Sequence, residues 1–213
     1  MKSNHTQCVR CTIERCGTKD SSKAVPAYCP TEKYSDLAAA TMEKYRHRDN
    51  RAVLEGWLAL MTQVLDPEKP REKYSWSRVD EVMEYARIRG MKRLGIATCR
   101  SMTHESLLLT DILEHHGFEV VSVSCLCGEV NPGDLDLPGE IFCNPILQAE
   151  VLDKENTELN IMMGLCVGHD ILFLKHSKAE TTPLVVRDYS TVHNPVAALY
   201  QSQGRFRDRF FGK

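Results

Sequence analysis

The amino-terminal segment carries four cysteines whose spacing indicates a metal site. The pattern reads C-x2-C-x4-C-x12-C-P, from Cys8 and Cys11 through Cys16 to Cys29. The residues between them are largely polar, so this segment cannot fold around a hydrophobic core, and disulfides or a metal must hold it. The two-residue gap lets the first two thiolates converge on one centre from a tight turn. We predict a metal site at Cys8, Cys11, Cys16 and Cys29, with disulfides or free thiols as the alternative.

The spacing of these ligands favours a [4Fe-4S] cluster over zinc. A zinc site of two knuckles usually pairs one C-x2-C with a second, whereas Cys16 and Cys29 are separated by a 12-residue gap. A four-iron cluster has a wider cage that tolerates a distant fourth ligand, and a cysteine followed by proline, as at Cys29, recurs among cluster ligands. We therefore expect a [4Fe-4S] cluster and keep Zn²⁺ as the alternative.

A second set of cysteines lies at the ends of predicted strands. Cys99, Cys125 and Cys166 each end an apolar stretch, and Cys143 precedes a predicted helix. Ligands in open α/β sheets gather at the carboxyl ends of the strands. Helix N-termini beside these sulfurs would favour thiolates, which can bind a metal, hold a second cluster or attack a substrate. We predict a cofactor-binding or reactive-thiol site here; the alternative is that these cysteines are small buried hydrophobes.

Two histidines are candidates for moving protons at the same edge of the sheet. His169 follows Cys166 by three residues, at the start of a predicted helix, and His193 follows the fourth predicted strand. Histidine exchanges protons near neutral pH, which suits a general acid or base. Cys166, His169 and His193 are therefore the predicted catalytic residues. The alternative is that both histidines are ordinary residues at helix N-termini.

A regular alternation of strands and helices must position this second set. Helices with apolar residues at i, i+3 and i+4 separate four apolar stretches that predict strands, at 93–99, 118–124, 159–165 and 183–187. Such alternation predicts an α/β fold with a Rossmann-like parallel sheet of about four strands and right-handed crossovers. No G-x-G-x-x-G follows the first strand, so we infer no dinucleotide.

The chain ahead of this sheet predicts two smaller parts. Ser35 begins a first helix, and a second, with apolar residues on one face, ends at Asp66. We predict a Cys-rich metal-binding segment at 1–34, a helical linker region at 35–70 and the Rossmann-like α/β domain at 71–213.

Composition and charge indicate a soluble globular protein. The chain has 213 residues, of which 42% are hydrophobic and 26% charged, and its net charge is −2. This charge gives no general attraction to nucleic acid or membrane. The first residues are polar and no run approaches the roughly 18 apolar residues of a membrane span, so we expect neither a secretory signal nor a membrane span. We expect the protein to be cytoplasmic, since thiols stay reduced in the cytoplasm. As partners we expect a small-molecule substrate or a redox partner protein, and neither nucleic acid nor membrane.

Three longer phrases resemble a known family when they are read with the cysteine pattern. Residues 143–150 read CNPILQAE, residues 164–170 read GLCVGHD and residues 193–200 read HNPVAALY. Together they resemble the DUF1847-type family of bacteria and archaea, whose members are described as metal-binding proteins of unknown function. The resemblance covers nearly the whole chain and implies metal binding through cysteines but no particular reaction. Carried over by position, it implies as ligands Cys8, Cys11, Cys16, Cys29, Cys99, Cys125, Cys143 and Cys166.

These observations lead to three hypotheses of function. The first is a metalloprotein whose N-terminal site is structural or carries electrons, while the sheet-edge site performs redox or sulfur-related chemistry on a small molecule. The second is a non-enzymatic, zinc-stabilised binding or regulatory module. The third is a thiol-based redox protein with no metal in its main domain. The sequence leaves open whether the protein is an enzyme and what its oligomeric state is, and metal content separates the first two hypotheses.

Overall fold

The computed structural model describes residues 5–13, 16, 24–65, 76–140 and 142–212. The chain divides into two compact units, Met1–Ala59 and Leu60–Lys213. Within the described ranges, no helix has both the length and the apolar character that crossing a membrane requires.

The first unit is helical after its cysteine segment. A single 3-10 turn spans Cys8–Arg10, and three α-helices follow, α1 (Pro30–Lys33), α2 (Ser35–Arg46) and α3 (Arg48–Val64). Proline begins α1 readily because the first N–H group of a helix has no partner within the helix and the φ of proline is already helical. The helices α2 and α3 confirm the predicted pair, and a single residue, His47, separates them.

The second unit alternates helices with strands. In chain order its elements are α4 (Arg78–Ile88), β1 (Arg93–Thr98), α5 (Thr103–His115), β2 (Glu119–Ser124), α6 (Pro145–Lys154), β3 (Leu159–Met163), α7 (Val167–His176), β4 (Glu180–Val185), α8 (Pro195–Tyr200) and α9 (Arg207–Phe211). Short 3-10 turns lie at Arg100–Met102 and Pro132–Leu135.

Within the described residues, four parallel strands form one sheet in the order β2-β1-β3-β4. This arrangement confirms the predicted Rossmann-like α/β fold. From β1 the chain first moves outward to β2 and then returns to add β3 on the other side of β1. The strand order therefore reverses between β1 and β3, and ligands of open α/β sheets bind in the crevice outside the strand ends at such a point.

Two strands differ from their predicted bounds by more than one residue, and the other two by a single residue. The strand β3 ends at Met163, not at 165, because Gly164 takes a left-handed φ of +65° that turns the chain. A Cβ at Gly164 would lie 2.6 Å from Cγ of Met102, so only glycine lets the loop after β3 pass this close to the loop after β1. The strand β4 starts at Glu180, three residues before Pro183. Proline is tolerated inside β4 because β4 is an edge strand that pairs with β3 alone.

The hydrophobic core forms on both faces of the sheet because side chains alternate along each strand. Leu94 and Ile96 of β1 pack with α4 and α5 on one face, whereas Ala97 packs with α6 and α7 on the other. The second face also buries Cys99 and Cys125. Burial of each large apolar side chain stabilises the fold by about 1.5–3 kcal/mol, so this core fixes the strand ends firmly.

Candidate functional site

The four N-terminal cysteines line one cavity of about 240 Å³ in the first unit. Backbone hydrogen bonds shape its wall: the N–H of Cys11 donates to the carbonyl of Cys8 at 3.0 Å, and the N–H of Cys29 donates to that of Pro26 at 2.8 Å. Among the described residues, the lining is Cys8, Cys11, Cys16, Pro26, Tyr28, Cys29 and Pro30.

Cys29 has the most favourable surroundings for a thiolate in this cavity, since it directly precedes α1. Hydrogen bonds from the backbone of Glu32, and to a smaller extent of Thr31, lower the pKa of the Cys29 thiol. N–H groups at a helix start have this effect because they stabilise the charged sulfur.

Thiolate sulfurs are ligands that both zinc and iron–sulfur clusters accept, so the chemistry of this donor set fits the predicted centre. Across the described residues, no group of three or more His, Cys, Asp or Glu side chains is arranged so that it could hold a metal ion as it stands. The metal assignment for Cys8, Cys11, Cys16 and Cys29 therefore stays a prediction.

The second unit brings Cys99, Cys125, Cys143 and Cys166 together at the carboxyl edge of the sheet; we call these four residues the thiol edge. Their proximity is seen at Cys143, a half-buried residue. Burial first, and then a hydrogen bond and charge interaction with Cys125 and charge interactions with Cys166 and Cys99, together raise the pKa of Cys143 to about 12. Cys143 is therefore held as a neutral thiol beside its three neighbours.

Backbone hydrogen bonds join the thiol edge to the sheet. The N–H of Cys99 donates to the carbonyl of Met163 at 2.9 Å, which links the end of β1 to β3. The N–H of Cys125 donates to the carbonyl of Thr98 at 2.9 Å, which links the end of β2 to β1. These sulfurs therefore have positions set by the strands rather than by a loose loop.

Asn144 and Gln148 fasten α6 behind the thiol edge. Asn144 Oδ1 accepts from the N–H of Leu147 at 2.9 Å and so caps α6. Gln148 is fully buried, and its Nε2 donates to the carbonyls of Thr98 at 3.2 Å and Val123 at 2.7 Å. Its Oε1 has no hydrogen-bond partner among the described residues. The polar residues of the 143–150 phrase thus position Cys143 against the ends of β1 and β2.

Arg187 joins Cys166 to Cys99 through a chain of polar contacts. Nη1 of Arg187 donates to Sγ of Cys166, and the guanidinium lies 4.4 Å from the centroid of the Tyr189 ring. The hydroxyl of Tyr189 donates to Oγ of Ser101 at 2.9 Å, and that oxygen lies 3.2 Å from Sγ of Cys99. A permanently charged group is therefore held beside the sulfurs.

The charges at this edge act on one another. Burial alone would lower the pKa of Arg187, but electrostatic interactions with Cys166, Tyr189 and Cys99 and the hydrogen bond to Cys166 raise it overall. Burial, and then the positive charge of Arg187, lower the pKa of His169, which lies in the first turn of α7. His169 is therefore neutral at pH 7 and able to accept a proton.

His193 lies beside Tyr189 and is linked to the thiol edge through it. The N–H of Asp188 donates to Nδ1 of His193 at 3.2 Å. The rings of His193 and Tyr189 meet edge-on, with their centroids 5.7 Å apart. His193 and Val192 both have left-handed φ values, 59° and 54°. Such φ values are costly for non-glycine residues and often occur at functional sites.

Sequence reasoning missed Arg187, Tyr189 and Ser101 as members of this site. All three follow strands, Ser101 after β1 and the other two after β4, so the strand-end rule that selected the cysteines also applied to them. They went unnoticed because arginine, tyrosine and serine are ordinary surface residues. Cys127, which follows Cys125 by two residues, is exposed.

The fold and the site define an α/β protein whose parallel strands end in a group of cysteines. The chain belongs to the family described as "Protein of unknown function (DUF1847)", whose profile matches residues 29–184. It is also similar to an uncharacterised protein of Methanocaldococcus jannaschii, at 34% identity over 205 residues that cover 91% of this chain and 93% of that protein. No solved structure gives a significant match. These matches confirm the family resemblance.

Proposed function

We propose that this protein performs redox or sulfur-related chemistry on a small molecule at the thiol edge and holds a metal centre at its N-terminal cysteines. The observation that supports the proposal most is the meeting of four thiols with Arg187 at the point where the strand order reverses. Ligands of open α/β sheets bind at this point. Grouped ionisable residues with shifted pKa values also favour a functional site there.

Each side chain at the thiol edge has a distinct proposed role. Cys166 is the nucleophile, because the guanidinium of Arg187 contacts its sulfur and α7 begins directly after it. His169, which is neutral at pH 7, accepts a proton during the reaction and returns it afterwards. His193 supports Tyr189, which in turn stacks on Arg187. A bound metal cation beside Cys166 would be opposed by this guanidinium, so we favour a reactive thiol there. The prediction of a second centre at the thiol edge remains untested.

The N-terminal cavity is the proposed metal site, with Cys8, Cys11, Cys16 and Cys29 as ligands. A [4Fe-4S] cluster, when bound, would supply one-electron transfer, whereas zinc would stabilise the segment without redox chemistry. We also propose a cytoplasmic location, since reactive thiols and an iron–sulfur cluster both require reducing conditions. The proposed partners are a small-molecule substrate and a redox partner protein.

Metal analysis of protein purified without oxygen tests this proposal. Iron, acid-labile sulfide, zinc and the absorption spectrum are measured for the wild type, the Cys8→Ser/Cys11→Ser variant and the Cys125→Ser/Cys143→Ser variant. We expect about four irons and four sulfides per chain, lost in the first variant and kept in the second. Cys127→Ser, at an exposed cysteine outside the thiol edge, is the control.

Other results of the same analysis would contradict parts of the proposal. About eight irons per chain, halved in the Cys125→Ser/Cys143→Ser variant, would mean that the thiol edge holds a second cluster. About one zinc and no iron would favour the non-enzymatic, zinc-stabilised binding module. Protein without any metal would reject the N-terminal centre and leave a thiol-based redox protein.

A further inference from the structure

We propose that Cys166 is a sulfur carrier that takes a sulfane sulfur from a small anionic donor of the thiosulfate class and holds it as a persulfide. This inference rests on the proposed sulfur chemistry of the thiol edge and adds to it the class of substrate and the attacking atom. The juxtaposition of Cys166, Arg187 and a group of further thiols carries it.

The surroundings of Cys166 suit an attacking sulfur. Cys166 is half-buried, and its sulfur accepts a hydrogen bond from Arg187. A guanidinium stays charged at all working pH values, so it stabilises both the thiolate and the persulfide anion that replaces it. The chain beside Cys166 is open, since Val167 is 75% exposed and a Cβ at Gly168 would meet nothing within 4 Å. A small molecule can therefore reach the sulfur.

Arg187 also explains why the donor should be an anion. A guanidinium has five N–H donors in a planar fork, and the described side-chain hydrogen bond from Nη1 to Cys166 uses one of them. The guanidinium also lies over the Tyr189 ring, with Cζ 4.4 Å from the ring centroid, and this contact limits its movement. Planar forks of this kind bind the oxygens of compact oxyanions well. A donor with a terminal oxyanion could thus bind Arg187 while its outer sulfur faces Cys166.

The transfer balances without an added oxidant or reductant. The Cys166 thiolate attacks the outer sulfur of thiosulfate, a new S–S bond forms, and the old S–S bond breaks with its electron pair leaving on sulfite. An acceptor thiolate then attacks the outer sulfur of the persulfide, which yields a persulfide on the acceptor and restores the Cys166 thiolate. We take Cys99 as the acceptor, because Tyr189, which contacts Arg187, is hydrogen-bonded to Ser101, and Oγ of Ser101 lies 3.2 Å from Sγ of Cys99.

Mass spectrometry on the full chain tests this proposal directly. Anaerobically purified, reduced protein is incubated with thiosulfate, and its intact mass and alkylated peptides are measured. We expect a gain of about 32 Da, one sulfur atom, on the peptide that contains Cys166, with release of an equal amount of sulfite. Cyanide should remove the added mass as thiocyanate. Because the peptide map is made on the wild type, this result does not depend on any variant folding.

Variants then test the roles of the two residues. Cys166→Ser should abolish the mass gain, whereas Cys127→Ser should leave it unchanged. Arg187→Met should slow the gain by about ten- to hundred-fold, because it removes a charged hydrogen bond to the sulfur. Arg187→Lys keeps the charge without the fork and should slow it less. Equal rates in the wild type and Arg187→Met would overturn the role of Arg187.

The outcomes separate this inference from the proposed function. No mass gain, or a gain that persists in the Cys166→Ser variant, would overturn the inference even if iron and sulfide are present as expected. A loss of about 2 Da would mean that a disulfide forms, as between Cys125 and Cys143, and would also overturn it. A persulfide on Cys166 in protein that holds no metal would support the inference and reject the N-terminal centre.

Discussion

Arg187 contacts groups on two sides at once, and this fixes where its charge acts. Its guanidinium stacks on Tyr189 and donates to Cys166, and its field reaches His169 in the first turn of α7. A freely rotating arginine would spread its charge over many positions and be screened by solvent. Here the charge acts at defined positions, on the sulfurs of Cys166 and Cys99, on Tyr189 and on the imidazole of His169.

The Arg187→Met variant should therefore raise the pKa of His169. Burial is the larger cause of its lowered pKa and remains in the variant, while the repulsion from Arg187 disappears. The pKa should rise without recovering its ordinary value. The chemical shift of the His169 ring followed by NMR against pH measures this change. Arg205→Met, next to the ring of Phe206, is the control and should leave His169 unchanged. An unchanged pKa of His169 in the Arg187→Met variant would contradict the charge interaction between the two residues.

Glu158 stabilises the opposite, amino-terminal end of β1. Its carboxylate accepts from the N–H groups of Arg93 at 3.0 Å and Lys92 at 2.6 Å, and these bonds, that of Arg93 first, lower the pKa of Glu158. A lowered folded-state pKa adds stability above the ordinary value of 4.5, and that stability is lost as the pH falls through the folded-state pKa.

Glu158→Gln should thus lower the free energy of unfolding at pH 7, by an amount that shrinks as the pH falls below 4.5. Urea unfolding at a series of pH values measures the difference from the wild type. Glu129→Gln, an exposed loop variant, should show a smaller difference. A difference for Glu158→Gln that is constant from pH 7 to pH 3 would rule out this linkage.

At the scale of elements, the central strand β1 could be predicted well, whereas the start of the edge strand β4 could not. The strand β1 is buried on both faces and so reads as a continuous apolar run, which its sequence displays. The edge strand β4 begins with Glu180, Thr181 and Thr182, which carry no apolar pattern. The predicted start of β4, at residue 183, was therefore too late. The predicted end, at residue 187, placed Arg187 inside the strand, whereas it lies past the strand end.

The candidate site divides in the same way. Cysteines could be recognised because they are uncommon and have few roles, and the parallel sheet then brought Cys99, Cys125 and Cys166 to one edge. The contact between Arg187 and Cys166 joins residues 21 positions apart on the loops after two strands. This contact depends on the register of β4 against β3. The register shifts between Met162 and Met163, and no local sequence pattern predicts that shift.

Gly95 shows how tightly β1 packs against its neighbours. A Cβ at Gly95 would lie 2.1 Å from Oδ1 of Asn160 and 3.1 Å from Cδ2 of Leu152. Asn160 is buried; its Oδ1 accepts from Thr157 at 2.8 Å and its Nδ2 donates to Ser177 at 2.9 Å. Gly95→Ala should therefore lower the free energy of unfolding by about 1–3 kcal/mol, since the buried amide must move.

Gly168→Ala is the matched control for Gly95→Ala. Gly168 lies in α7, and a Cβ there would meet nothing within 4 Å. Alanine favours the helix over glycine, so this variant should be up to about 1 kcal/mol more stable than the wild type. Urea unfolding of both variants measures the two effects, and equal stabilities would contradict the packing around Gly95.

At the scale of the whole molecule, the two proposed centres belong to different units. The N-terminal cysteines lie in the first unit, and every residue of the thiol edge lies in the second. The buried residues that form the core on the two faces of the sheet all belong to the second unit, from Val82 to Phe173. The sheet therefore has a hydrophobic core of its own.

The fragment 60–213 should accordingly fold without the first unit. We expect a cooperative urea transition and a circular dichroism spectrum of an α/β protein, because the two clusters remain complete. The fragment should gain sulfur from thiosulfate as the full chain does, yet contain no iron. A fragment that unfolds without cooperativity would show that the first unit is needed for the core.

The hydrogen bonds that join Cys99 and Cys125 to neighbouring strands have a consequence for kinetics. Cys125 is 2% exposed, and its N–H is bonded to the carbonyl of Thr98. An alkylating reagent can reach this sulfur only when the end of the edge strand β2 separates from β1, which is a local opening of the fold. The rate at which Cys125 is alkylated therefore measures how often this edge of the sheet opens, and the reagent is the only addition that the measurement needs, even in a mixture or a cell extract.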